Sequence, residues 1–236
     1  MQTTSERYRE LLALPHETEN RLLIDGVAYT TPQLVKNSLQ TVEALFSGTT
    51  PTVGGAVAGE ISVQLLGVLS SSVARMAELR PQVRLVGDSG EPSEWIAQGV
   101  YNVDKRSYNK QTGVLTLHGY DKMLATEQWY TGSVGTGGVT DITIVNRVCT
   151  QVGITLDSET ESFFASGKKY KVTNPRNYTC RELLQAIAGW YGGNWCMTPV
   201  GKLRLVLLNS LPKETNYLVD NGGNAITFGG DRILVG

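Results

Sequence analysis

SEWIAQGVYNVDKRSYNKQTGVLTLHGYDKM, residues Ser93 to Met123, is the stretch that decides the fold. It reads as two β-strands joined by a polar loop, Asn109 to Gly113, followed by a turn into a helix around Asp121. Tyr101 and Val103 share one face of the first strand. On the second, Leu115 and Leu117 share a face, with Val114, Thr116 and His118 opposite. Alternation of period two about a short glycine-containing loop is a hairpin signal. The stretch contains no recognisable catalytic centre.

Composition bounds the alternatives. A chain of 236 residues can hold one large domain or two modest ones and bury ample core. It is 41% hydrophobic and 18% charged, values of a globular chain. A net charge of -1 offers no basic stripe for a phosphate backbone, so nucleic acid is not an expected partner. No apolar run approaches the ~20 residues of a membrane helix. The polar, mixed-charge start, Met1 to Glu10, is not expected to be a secretory signal. Cys149, Cys180 and Cys196 show no CxxC spacing, which predicts reduced thiols in a protein made in the cytoplasm. Two of them fall on apolar helix faces and are expected to be buried.

Outward from the hairpin, Ser5 can cap a helix over Glu6 to Leu14 that Pro15 ends. Arg21 to Thr30 (RLLIDGVAYT) places Asp25-Gly26 between apolar segments, a tight hairpin turn. Gln33 to Phe46 fits both a helical and a strand spacing. Thr49 to Gly59 is a glycine-rich connector without charge. Glu60 to Leu66 and Gln82 to Val86 are expected strands, with Arg75 to Leu79 a short helix or bend between them. Asp88 to Ser93 is a turn cluster.

Beyond Met123, Thr131 to Thr140 is a flexible boundary or loop. A helix-glycine-strand unit then occurs twice. The first, Asp141 to Val152, puts Ile142, Val145, Cys149 and Val152 on one face before Gly153 and the strand Ile154-Thr155-Leu156. The second, Arg181 to Tyr191, puts Leu183, Ile187, Trp190 and Tyr191 together before Gly192-Gly193 and the strand Asn194 to Met197. Thr179 and Glu182 form a capping box, Thr140-Asp141 supply favourable caps, and the glycines suit left-handed C-caps. Asn194 to Met197 and Leu203 to Leu208 flank a hairpin-like junction, as Ala225 to Phe228 and Arg232 to Val235 do later. The end at Gly236, directly after an apolar strand, suggests a piece of a longer protein. The expectation is an α+β, mainly β chain with barrel-like β domains and a small unit of two helices on a sheet. Its regions are 1–121, a barrel-like β domain, 122–200, the α/β unit, and 201–236, strands returning to a β domain.

Candidate chemistry is sparse. His118 beside Tyr120 and Asp121 invites a general-base reading, but a lone strand histidine is more often structural. GxSxG and HExxH signatures are absent. Gly132 to Gly138 lacks the preceding apolar strand and the Lys-Ser/Thr pair of a phosphate loop, so a linker is the better reading. Asp104, Asp121 and Glu127 could pair for glycoside cleavage if their separation suits it. Trp95, Trp129, Trp190 and Trp195 could form a sugar platform, although Trp190 fits a helix core stripe. Lys168 to Lys171 suits a solvated strand edge. The sequon Asn177-Tyr178-Thr179 has no meaning without secretion. No catalytic, cofactor-binding or metal-ligating residue is assigned.

The order of elements resembles the N-terminal part of tail baseplate-hub, or tail-tip, proteins of phages and prophages. The likeness is carried by RLLIDGVAYT and by Pro51 to Gly55 leading into Glu60 to Val63. It continues with Gly99-Val100-Tyr101-Asn102-Val103-Asp104, Leu115 to Met123, Tyr178 to Ala188, and Gly201 to Leu205. It spans nearly the whole chain through patterns rather than catalytic motifs. The resemblance implies barrel-like β domains in a trimeric ring between the tail tube and a fibre, spike or lytic module. It implies a non-enzymatic virion protein without cofactor, assembled in the bacterial cytoplasm and located in the tail, with other tail proteins as partners. Family members commonly carry a further C-terminal region, so a lytic or receptor-binding activity located there is not implied. A carbohydrate- or receptor-binding module would instead show a line of exposed Trp and Tyr on one sheet. A cell-wall hydrolase would show a cleft with Asp104 or Asp121.

Overall fold

The computed structural model describes residues 4–88, 90–134, 137–166 and 169–208, with the backbone of 216–217, 227–228, 231–232 and 234–235. The chain opens with helix α1 (Glu6–Leu12), whose N-cap Ser5 accepts from the Tyr8 N–H at 3.1 Å. Its buried Leu11 lies where a Cβ on Gly87 would sit, so α1 packs closely on the strand that ends there.

Strands β1 (His16–Ile24), β2 (Val27–Tyr29), β3 (Gln40–Val42), β4 (Glu60–Leu66), β5 (Glu78–Gly87), β6 (Ile96–Ala97), β7 (Tyr101–Asn109) and β8 (Val114–Asp121) follow. They form one antiparallel sheet in the order β2-β1-β5-β7-β8-β4-β3, with β6 on β5. Asp25 and Gly26 have φ of 47° and 84°, the pair of left-handed residues that a two-residue hairpin turn requires. The central hairpin turns as expected. Asn109 Oδ1 accepts from the Gln111 and Thr112 N–H groups at 2.9 and 3.3 Å, and Gly113 adopts φ +67°.

Leu22 and Ile24 of β1, Leu79 of β5, Tyr101 and Val103 of β7, Leu115 and Leu117 of β8, and Ile61, Val63 and Leu65 of β4 share one buried cluster. Since three strands separate β1 from β4 in that order, the sheet must curl to unite them. The chain leaving β2 crosses to the far edge, where Val35 N–H donates to Gln64 O at 3.0 Å. Strand order nevertheless runs as an open path, with β2 and β3 at its ends.

Gln33 to Phe46 resolves into bridge and strand, since Asn37 takes φ 60° and interrupts any helix. Of the helix or bend expected over Arg75 to Leu79, the chain makes the bend, a turn with Met76 at φ 60° that runs straight into β5. After β8 the chain makes only a 3-10 turn, Leu124–Glu127.

The second half is built from β9 (Val139–Thr140), α2 (Asp141–Val152), β10 (Thr155–Leu156), α3 (Ser158–Ser166), β11 (Lys171–Val172), α4 (Cys180–Tyr191), β12 (Gly193–Met197) and β13 (Lys202–Leu207). β13 is central, parallel to β10 and antiparallel to β12. Ile144, Val145 and Val148 of α2 and Leu183, Leu184 and Ile187 of α4 pack around buried Trp195. Both helices end at left-handed glycines, Gly153 and Gly192, and α4 has its capping box. At α2 the Thr140 hydroxyl caps nothing and meets the Thr143 hydroxyl, while Asp141 turns inward. Helix α3 was not expected, because SETESFFAS is polar on most sides and carries little amphipathic signal. Finally, β14 (Asn216–Tyr217) pairs with β17 (Leu234–Val235), and β15 (Thr227–Phe228) with β16 (Asp231–Arg232). Ala225, Ile226 and Ile233 of the expected terminal strands lie outside the described residues.

Candidate functional site

The two halves meet at a seam organised by the glycine-rich connector. Gly54 N–H donates to Gly193 O at 2.9 Å, and Trp195 N–H donates to Gly55 O at 2.8 Å. The connector therefore adds a parallel bridge, Ala56 to Trp195, along the outer edge of β12. Asn194, fully buried, locks it: Oδ1 accepts from Gly55 N–H and Nδ2 donates to Thr52 O at 2.7 Å. Glycine is required because Gly54 has φ +82°, and a Cβ on Gly55 would stand 3.0 Å from Asn194 Oδ1.

Beside this seam lies a groove of about 310 Å³ lined by Glu43, Gly59, Asp121, Cys196, Met197 and Val206. Asp121 ends β8 directly opposite Tyr101. Its Oδ2 accepts from Gly59 N–H and its Oδ1 from Met123 N–H, both at 2.8 Å. Burial pushes its carboxyl up to about 6. The two N–H bonds and Arg181 oppose that rise, and the Glu43 charge adds to it. Desolvation also raises Glu43, partly offset by the Tyr101 hydroxyl, which donates to Glu43 Oε1 at 3.4 Å. The Tyr101 phenol is raised in turn, first by burial and then by both carboxylates. Burial holds Cys196 as a thiol, up to about 11.

Chemically, this is a clasp. Each Asp121 oxygen is engaged by a backbone N–H, and the thiol is far from its nucleophilic form at neutral pH. The carboxylate fixes the start of β4 against the turn after β8. Met123 O then accepts from Arg181 Nη2 of α4 at 2.7 Å.

The remaining sequence candidates are dispersed. His118 Nε2 lies 3.5 Å from Glu60 and its ring meets Tyr120 edge-on, while its Nδ1 is buried without a partner. Asp104 is exposed at a bulge in β7 and lines a different groove from Asp121. Glu127 is held by Arg181 at 2.6 Å, so no carboxylate pair is assembled from these three. Trp195 is core and donates from Nε1 to Leu184 O. The guanidinium groups of Arg21 and Arg84 lie 4.2 and 4.4 Å from the centre of the Trp95 ring. Trp129 is 63% exposed. Trp190 is 41% exposed and rests by Tyr170, so it leaves the core stripe expected of it. The four tryptophans do not make a line on one sheet.

Cys149 and Cys180 are buried on helix faces as expected. Lys171 is exposed on β11, while Lys168 and residues 135–136 of the glycine loop lie outside the described residues. Among the described residues no three His, Cys, Asp or Glu side chains converge on a metal position. No helix among the described residues is long and apolar enough to cross a membrane.

The connector's role was missed in the sequence because uncharged glycines signal a linker. Its signal was present in buried Asn194, a polar residue inside an apolar strand that needed partners.

No family model and no curated protein matches the sequence. Solved structures do match the fold. A 43 kDa tail protein of prophage MuSo2 from Shewanella oneidensis aligns with 90% of this chain and 62% of its own, at 17% identity and a TM-score of 0.54. Prophage tail protein gp18 from Listeria monocytogenes EGD-e aligns with 87% of this chain and 64% of its own, at 10% identity and a TM-score of 0.50. A tail protein from Neisseria meningitidis MC58 aligns with 80% of this chain at a TM-score of 0.46. The chain thus spans less than two thirds of the first of these proteins, and what it shares with the prophage tail proteins is a fold.

Proposed function

We propose that this chain is a structural component of a phage or prophage tail, a baseplate-hub or tail-tip subunit that works by assembling into a ring. The observation that carries this reading is the likeness in fold to prophage tail proteins along nine-tenths of the chain. Independently, the sequence patterns around Tyr101 to Asp104, Leu115 to Met123 and Tyr178 to Ala188 resemble the hub family. In this proposal the ring is a trimer of copies, flanked by other tail proteins, made in the bacterial cytoplasm and resident in the virion tail. Neither a cofactor nor a reaction is assigned to it. The clasp around Asp121 suits that role, since it spends its carboxylate on holding backbone in place.

Sizing by light scattering across micromolar concentrations, alone and with neighbouring tail proteins, tests the reading. A chain that stays monomeric in every condition would count against it. A receptor-binding reading has one favourable observation, a groove of about 460 Å³ beside α4 bordered by Tyr178 and Trp190. Binding of host wall polysaccharide that disappears in Trp190→Ala would favour that alternative.

A further inference from the structure

The groove of about 460 Å³ beside α4 has a chemistry of its own. Its size falls within the roughly 300–1,000 Å³ of small-molecule sites. One wall is α4, where Glu182, Ala186 and Trp190 follow at four-residue spacing and form a row along the helix. Eight steps of 1.5 Å make that row about 12 Å long. The other wall is β11 and Thr173, fixed where Lys171 and Val172 pair with Thr140 and Val139 of β9. Two exposed aromatic rings border the groove, Tyr178 just ahead of the helix and Trp190 in its last turn.

Trp190 is braced from behind. Its ring lies 5.4 Å from that of Tyr170, whose N–H donates to Asp141 Oδ2 at 3.0 Å and whose ring meets Tyr191 edge-on at 5.3 Å. An indole held on such a support is a preorganised surface. The polar lining is varied: the Thr173 hydroxyl, the Gln185 amide, the Lys171 ammonium and the Glu182 carboxylate. Glu182 is fixed by the capping box, where Oε2 accepts from Thr179 N–H at 2.7 Å. Lys171 joins no ion pair among the described residues, and its charge offsets that of Glu182. A matching ligand has a flat apolar face for the ring, hydroxyls for the polar lining, and no net charge. We infer that the groove binds a short neutral oligosaccharide, one sugar stacked on Trp190 and its hydroxyls turned to Thr173, Gln185 and Glu182. A polyanion would meet one ammonium opposed by one carboxylate, and a lipid chain would leave the polar lining without partners. This goes beyond the assembly reading and does not rest on it, since an assembled subunit can carry such a groove.

The test is calorimetric titration of the full chain with cellotetraose, maltotetraose and chitotetraose, and with acidic tetragalacturonate for comparison. At least one neutral sugar is expected to bind, with an affinity insensitive to salt. Trp190→Ala is expected to weaken that binding at least about tenfold, and Trp190→Phe to retain part of it. Gln185→Ala and Thr173→Ala are expected to weaken it several-fold each. Trp129→Ala, an exposed ring outside the groove, should leave it unchanged, with circular dichroism checking that every variant folds. No binding of any neutral sugar at millimolar concentration overturns the inference, as does binding that Trp190→Ala leaves intact. Binding confined to the acidic sugar, or abolished by salt, overturns it too. Loss through Trp190→Ala of a contact with a neighbouring tail protein, without sugar binding, makes the groove a protein interface instead. Light scattering on the same samples separates the two readings: a monomer that binds sugar through Trp190 overturns assembly alone.

Discussion

At the scale of single residues, two buried carboxylates set conditions that the rest of the chain obeys. Asp121 has a folded pKa raised from the ordinary value to about 6, so protonation favours the folded state. Its contribution is fully present below the unfolded pKa and is lost as pH rises through about 6. Glu43, raised by desolvation, acts with the same sign. Between pH 4 and 7 Asp121 alone is expected to remove up to about 3 kcal/mol, and Asp121→Asn should flatten that part of the stability profile in urea titrations. An unaltered slope in the variant would assign the dependence elsewhere. Asp141 is different: fully buried, it accepts from the Ile142 N–H, the Tyr170 N–H and the Tyr191 hydroxyl. Asp141→Ala removes the buried acceptor of the Tyr170 N–H and the Tyr191 hydroxyl and should cost about 3 kcal/mol, while Tyr191→Phe should cost about 1–2 kcal/mol. Chemical denaturation with unchanged m-values would confirm that the native state, not the denatured ensemble, is affected.

At the scale of elements, the connector and α4 show how turn chemistry positions everything else. Gly54→Ala places a side chain on a left-handed residue 3.2 Å from Gln185 O, and is expected to destabilise by about 1–3 kcal/mol. Gly48→Ala, which meets open space, should leave the melting temperature unchanged and serves as the control. Thr179→Ala removes one half of the capping box and should cost about 1 kcal/mol. Legibility in the sequence followed the same physics. The hairpins at Asp25-Gly26 and Asn109 to Gly113, the faces of β7 and β8, and helices α2 and α4 were readable because period and turn residues agreed. Helix α3 was not, since its burial rests on Thr160 and Phe164 alone. Trp190 fits the helical stripe by spacing, but in the last turn Tyr191 makes the core contact and Trp190 stays 41% exposed. The Asp121 clasp joins residues 62 positions apart, beyond any local pattern.

At the scale of the whole molecule, the question is whether two cores behave as one. One cluster unites β1, β4, β5, β7 and β8; the other unites the helices with β12 and β13. Ala56, from the first half of the chain, belongs to the second cluster, so the connector is part of the core it crosses to. Two modest cores joined by a thin contact would unfold separately, because relative motion is the default unless the shared surface is substantial. Here the seam adds the Asn194 clasp, the backbone bonds at Gly54 and Gly55, and the Arg181 bridge to Met123 O. Calorimetry of the wild type is therefore expected to show one transition, with calorimetric and van't Hoff enthalpies in agreement. Asn194→Ala leaves buried Gly55 N–H without its side-chain acceptor, removes the donor to Thr52 O, and breaks the coupling rather than either core. Its thermogram should broaden or divide into two steps, with the helical far-UV signal lost apart from the aromatic signal of the curled sheet. A single transition, merely shifted to lower temperature, would show instead that the cores are joined through their packed surfaces and that Asn194 is one contact among many.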